Sequence, residues 1–229
     1  VAGFSALALE VMWTRAISLI IGGTTYSFTI MLTAFLSGIW IGSWLHASLP
    51  LRRVHESVQL GALLMLVGGT SFVSSQLIPR VPSLVIWLND WLYQDHMQIR
   101  FGTSLLGAFA VMLIPCIFLG FAFPVASQVR AQLVQRFGAS VGDTLGLNTL
   151  GSITGSLAAG FLLIPWLGLQ GGMVLASSLA FGYGAVVLVA ALGSRASWGR
   201  AGLGATALAA LLLVIVAPRV APSWDVERF

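Results

Sequence analysis

Long, nearly uncharged apolar stretches are the feature that most constrains how this chain can fold. A membrane-spanning helix needs about 20 consecutive, predominantly apolar residues, and seven windows of the sequence meet that requirement. They cover residues 1–22, 25–45, 58–77, 103–123, 145–167, 172–192 and 201–217. The sequence therefore predicts an all-α integral membrane protein, a bundle of about seven transmembrane helices.

The composition agrees with this class of protein and argues against others. Of the 229 residues, 58% are hydrophobic and only 8% are charged, whereas soluble domains carry about 25% charged residues. The net charge of +4 is spread over several loops instead of one basic patch, which argues against nucleic-acid binding. The predicted environment is the lipid bilayer, and the single cysteine, Cys116, excludes an intrachain disulfide.

Residues 80–100 lie between the third and fourth predicted segments and are too polar at their centre to span a bilayer. Trp87, Trp91 and Tyr93 are interspersed there with Asp90 and Asp95. Aromatic side chains favour the level of the lipid headgroups, and mixed segments of this kind lie along the membrane surface. We therefore predict an interfacial helix between the third and fourth transmembrane helices.

Two glycine steps of the form G-x-x-x-G indicate helices that approach each other closely. One is formed by Gly151 and Gly155 and continues toward Gly160; the other is formed by Gly38 and Gly42. Glycine ridges let two helix backbones come nearly into contact inside a membrane. We expect these glycine-rich faces to pack helices within the bundle, and to support self-association or binding to other membrane subunits.

Glu10 and Arg15 lie inside the first apolar segment, where a charged side chain is costly and is a functional-site hypothesis by default. They are five residues apart, about 140° around a helix, so they do not form an ideal pair on one helix face. One interpretation is a relay for protons or cations. The other, which we favour, is a structural ion pair that fixes helix packing. We expect each residue to find its partner on another helix, or Arg15 to reach outward to the interface.

Three further residues are candidates for polar or broken structure inside the membrane. Asn148 could bind a polar solute, or it could cap and cross-link backbone near the start of the fifth helix. Pro115 and Pro124 bracket a glycine-containing stretch of the fourth segment and are predicted to kink or break that helix. Broken helices line the binding sites of many transporters, although simple bends are also common.

The sequence predicts no catalytic constellation, no metal site and no cofactor. His46, His55 and His96 fall near predicted membrane surfaces, and no cysteine or carboxylate is spaced to complete a metal site with them. No glycine-rich phosphate loop and no Ser/His/Asp set can be assembled.

Several stretches together resemble a known family. They are ALEVMWTR, which contains Glu10 and Arg15, GGTTYSFTIMLTAFLSGIWIGSWL, IPCIFLGFAFP and, most specifically, LNTLGSITGSLAAGFLLIPWLG. The chain resembles, over nearly its whole length, the membrane domain of bacterial fused MFS/spermidine synthases, which are membrane-anchored proteins similar to polyamine aminopropyltransferases. The resemblance implies a multi-pass protein of the bacterial inner membrane.

The resemblance also implies a division of the chain and of its function. Residues 1–217 correspond to the transmembrane bundle, and residues 218–229 resemble the lead into an aminopropyltransferase-like domain, none of whose catalytic residues lie in this chain. Three hypotheses follow: a noncatalytic anchoring and assembly module, a transporter-like domain for a small cationic solute such as a polyamine, and the membrane half of an aminopropyltransferase.

Overall fold

A computed structural model describes residues 1–21, 25–49, 55–92, 97–134 and 137–193. Within these ranges the chain is almost entirely helical, which confirms the all-α prediction. The helices are α1 (Ala2–Ile21), α2 (Thr25–Ser48), α3 (Glu56–Leu77), α4 (Val81–Leu92), α5 (Met97–Val134), α6 (Phe137–Ala158) and α7 (Ile164–Leu192). A 3-10 turn (Ile78–Arg80) joins α3 to α4, and a π-turn (Ala159–Leu163) joins α6 to α7.

Four helical runs are long and apolar enough to cross a membrane, which makes this a multi-pass membrane protein. They are Thr25–Ser48, Glu56–Trp87, Gly102–Gln132 and Val141–Leu192. Six of the seven predicted segments coincide with described helices. The seventh, 201–217, and the predicted tail, 218–229, lie outside the described residues, so the count of seven crossings stays a prediction.

The last of these runs is divided at Gly168. A straight helix of its 52 residues would be about 78 Å long, against about 30 Å of hydrocarbon in a bilayer. Gly168 has φ of 70°, a left-handed conformation that glycine adopts without steric cost. A side-chain carbon at Gly172 would lie 3.3 Å from Cβ of Leu163, so the chain folds back at this glycine.

The interfacial helix predicted from the sequence falls in the region between α3 and α5. A short helix, α4, is present, but it continues from α3 through the 3-10 turn and packs against α5, where Val81 and Val85 lie beside Gly107. Residues 93–96 lie outside the described part of the chain. A position of α4 in the membrane interface therefore stays a prediction.

Glycines set the closest contacts in three helix pairs. A methyl group at Gly155 would collide with the Phe4 carbonyl of α1, and one at Gly42 would collide with the Ile117 carbonyl of α5. In the third pair, α3 and α7, a methyl group at Gly68 would lie 2.5 Å from the Ser177 carbonyl oxygen. The predicted close packing at Gly38, Gly42, Gly151 and Gly155 is present, and it is formed inside one chain.

The contacts also give the directions of the helices. Near its start, α1 contacts Asn148 of α6 through Gly3. Further along α1, Met12 lies against Gly172, which is itself close to Leu163 just after α6. Residue numbers therefore rise together along α1 and α6, so these two helices run parallel. The corresponding numbers for α2 and α5 also rise together, because Gly38 meets Cys116 and Gly42 meets Ile117. For α3 and α7 they run in opposite senses, because Gly61 meets Leu188 and Gly68 meets Phe181. These directions agree with helices that alternate across a bilayer.

The packing pattern contains an internal repeat. If α1, α2 and α3 are replaced by α5, α6 and α7, respectively, and the reverse, the same helix pairs are in contact. The contact of α1 with α6 then corresponds to that of α5 with α2, the contact of α3 with α5 corresponds to that of α7 with α1, and the contact of α3 with α7 corresponds to itself. The glycines follow the same rule, because Gly42 meets Ile117 in the way that Gly155 meets Phe4. Gly155 follows Gly42 in the sequence by the same number of residues as Ile117 follows Phe4. Each unit of the repeat has three main helices, so with alternating directions the second unit is inverted relative to the first.

Candidate functional site

Glu10 lies near the middle of α1 at the contact between the two repeat units. Its side chain is partly buried, and its carboxylate is within electrostatic range of the Cys116 thiol on α5. Cys116 is itself fully buried against Gly38 of α2. Glu10 of α1 thus lies within electrostatic range of α5, the equivalent helix of the second unit.

Arg15 does not neutralise Glu10. The Arg15 side chain is exposed, as expected for an arginine that extends outward from the bundle. Among the described residues, Arg130 and Asp143 form an ion pair in which Nη2 of Arg130 lies 3.1 Å from Oδ2 of Asp143. The Arg130 side chain is 42% exposed and that of Asp143 is 48% exposed. The predicted ion pair of Glu10 or Arg15 with a residue of another helix is therefore not formed among the described residues.

The sequence predicted a kink or a break at Pro115 and Pro124. α5 continues through both prolines without a break, and a kink stays a prediction. Proline removes the hydrogen bond that its own N–H would donate to the carbonyl four residues earlier, which for Pro124 is the carbonyl of Gly120. The Ser43 hydroxyl of α2 donates to this oxygen at 3.1 Å. A neighbouring helix thus supplies the missing donor, one of the ways in which membrane helices tolerate proline.

Asn148 lies well inside α6, which begins at Phe137, earlier than the sequence predicted. It therefore cannot cap the start of this helix. Its backbone carbonyl and side-chain oxygen lie against Gly3 of α1, and the neighbouring Ser152 hydroxyl is 3.4 Å from the Gly3 carbonyl. This arrangement agrees with a cross-link between helices; a role in binding a solute stays a prediction.

Gly160 differs from the other four glycines that we expected to pack helices. It lies in the π-turn, is exposed, and would have no atom within 4 Å of an added methyl group. Gly142 and Gly146 of α6 are exposed and open in the same way. Gly142 and Gly146, together with Gly160 of the adjoining π-turn, are what we call the outer glycine face of α6. Leu150, Ile153, Leu157 and Phe161 are exposed on the same helical run.

One end of the bundle carries polar contacts among three helices, α2, α3 and α5. The Gln128 amide nitrogen lies 3.3 Å from Nε2 of His46, and Gln132 donates to the Glu56 carboxylate at 2.8 Å. The His46 ring also packs edge-on against Phe121. No group of three His, Cys, Asp or Glu side chains able to hold a metal ion occurs among the described residues, and His96 lies outside them.

Buried serines of α3 and α7 form a polar region that was not predicted from the sequence. Trp13 is fully buried and donates from its indole nitrogen to the Ser74 hydroxyl at 3.2 Å. Further buried serines lie nearby along both helices: Ser71, Ser75, Ser177 and Ser178. The sequence does contain a pattern that could have indicated these serines: they are spaced by three and four residues in α3 and are consecutive in α7. Serines clustered on one face of an apolar helix favour a protein neighbour over lipid.

Comparison with known proteins adds no assignment to this geometry. No protein-family model matches the chain, and neither a curated protein nor a solved structure was found to be significantly similar to it.

Proposed function

We propose that this chain is a noncatalytic membrane module that anchors and assembles a larger complex through the outer glycine face of α6. The observation that carries the proposal is the contrast between glycines on one helix: Gly151 and Gly155 are covered by α1, whereas Gly142, Gly146 and Gly160 are open. Small residues let a second helix approach closely, and the exposed Leu150 and Ile153 next to them offer apolar contacts.

The test is the size of the complex extracted from native membranes by a mild detergent, with and without Gly146→Leu. A leucine at this position would begin from a Cβ that meets no described residue within 4 Å and would occupy the outer glycine face, so we expect the complex to shift to the mass of the chain alone. Gly69→Leu in α3 is the matched control, because an added carbon there also meets nothing within 4 Å. A complex of unchanged size in the Gly146 variant would refute the proposal, and mass spectrometry of the complex would distinguish self-association from other subunits.

A second candidate function is the transport of a small cationic solute such as a polyamine. It is favoured by the position of Glu10, a partly buried carboxylate without an ion-pair partner among the described residues, where the two repeat units meet. Inverted repeats with sites at their interface are typical of secondary transporters, and an unpaired carboxylate attracts cations.

Uptake of radiolabelled spermidine and putrescine into proteoliposomes tests this candidate. Glu10→Gln should abolish uptake, because the amide keeps the shape of the side chain and removes its charge. Glu56→Gln is the matched control, since Glu56 lies at one end of the bundle and contacts Gln132. Equal uptake by wild type, Glu10→Gln and protein-free liposomes would exclude this function. The relation to fused MFS/spermidine synthases remains a proposal that rests on the sequence resemblance.

A further inference from the structure

Four buried hydroxyl groups have no hydrogen-bond partner among the described residues. They belong to Ser5, Ser71, Ser177 and Ser178, and none of these residues is more than 3% exposed. Buried polar groups are almost always hydrogen-bonded in folded proteins. In a membrane the surrounding lipid offers no substitute donor or acceptor, so each of these groups calls for a physical explanation.

Three of the four lie at one level of the contact between α3 and α7. Along this antiparallel pair Gly61 meets Leu188, Gly184 meets Met65, and Gly68 meets Phe181. Continuing the same register by one helical turn places Ser71 of α3 opposite Ser177 and Ser178 of α7. We call these three residues the serine pocket.

The hydroxyls on the next turn of α3 are satisfied, so the lack of partners is local. Ser74 accepts a hydrogen bond from Trp13, and Ser75 donates to the Phe72 carbonyl at 2.7 Å. The serine pocket lies one helical turn from the close contact of Gly68 with Phe181.

We propose that the serine pocket binds one or two ordered water molecules that bridge α3 and α7. A buried water typically makes two to four hydrogen bonds to polar groups that would otherwise lack partners, and the hydroxyls of Ser71, Ser177 and Ser178 are such groups. A hydroxyl both donates and accepts, so a single water can link residues on both helices. The pocket carries no charge, which favours water over a metal ion.

Thermal unfolding in detergent distinguishes a hydrated pocket from an empty one by the sign of the change. If water is bound, Ser71→Ala removes one of its partners, and the midpoint should fall by about 2–4 °C. Replacing all three serines with alanine should recover most of that loss, because no hydroxyl then needs a partner. If the pocket is dry, Ser71→Ala removes an unsatisfied hydroxyl and the midpoint should stay or rise; that result would overturn the proposal.

Ser127→Ala is the matched control, because Ser127 is buried but donates to the Phe123 carbonyl of its own helix. Hydroxyl-radical footprinting of the wild-type protein keeps the test decisive if a variant does not fold. Water in the pocket should promote oxidation of Met173, one turn from Ser177, over that of Met112, which is equally buried in α5. Equal, slow oxidation of the two methionines would count against bound water.

Discussion

The two faces of α6 present similar glycine steps to very different surroundings. On the inner face, Gly151 and Gly155 meet the backbone of α1 at Phe4, while on the outer face Gly142 and Gly146 have the same spacing and meet none of the residues that the structure describes. The motif alone is thus compatible with internal packing and with an unoccupied surface. The rest of the fold determines which of the two it becomes, because α1 can cover only one side of the helix.

The largest effect is expected from a bulky side chain on the inner face. Gly155→Leu would place its Cβ against the Phe4 carbonyl, which belongs to rigid helix backbone, so α1 and α6 must separate. Overpacking of this kind typically costs about 1–3 kcal/mol, sometimes more, and we expect the upper end. Unfolding in mixed detergent micelles measures the change, with Gly146→Leu as the control on the outer face. Equal stability of the two variants would remove the distinction between the faces.

A smaller loss is expected where α2 compensates for a proline of α5. Ser43→Ala leaves the Gly120 carbonyl without its donor, and an unsatisfied buried carbonyl costs about 1–3 kcal/mol. In a Pro124→Ala background the backbone N–H of residue 124 can bond to Gly120 again, so Ser43→Ala should then cost clearly less. A double-mutant cycle on the free energy of unfolding measures this coupling; purely additive effects would contradict the role assigned to Ser43.

The smallest effect, of opposite sign, is expected from a minimal change on the outer face. Gly146→Ala meets no neighbouring atom and replaces a flexible residue by a better helix former, which stabilises a helix by about 0.5–1 kcal/mol. The same measurement in detergent checks it. A marked destabilisation of the isolated chain would show that the outer face is already in contact with another part of the protein.

The sequence predicted most of the helices and their close contacts, but not which faces meet. Apolar length located six helical segments, and the G-x-x-x-G steps located four of the contact glycines. Lipid and protein interior are equally apolar, however, so hydropathy does not separate the fully buried Leu9 and Met12 from the exposed Leu36 and Trp40. The hydroxyl that compensates for Pro124 comes from a residue 77 positions away from Gly120, which no local pattern indicates.

The candidate site shows the same limit. Glu10 was identified because a carboxylate is rare in an apolar segment, yet its lack of a bond to Arg15 and its approach to Cys116 depend on where α5 crosses α1. The serines of α3 and α7 were missed for a related reason. A single serine or threonine in a membrane helix usually donates to a backbone carbonyl of its own helix, as Thr70 does to that of Leu66. Only the packing of two helices shows that several buried serine hydroxyls lack a partner within the described part of the chain.

The pairing of α1 with α6 also has a consequence for biosynthesis. At about 5–20 residues per second, a ribosome that has made Phe4 needs roughly 8–30 s to reach Gly155, its contact on α6. During that interval α1, which is not among the four runs long and apolar enough to span a membrane and carries both Glu10 and Arg15, lacks its main neighbour. Among the described helices, α1 is therefore the one most dependent on the insertion machinery, and the one most exposed to quality-control proteases.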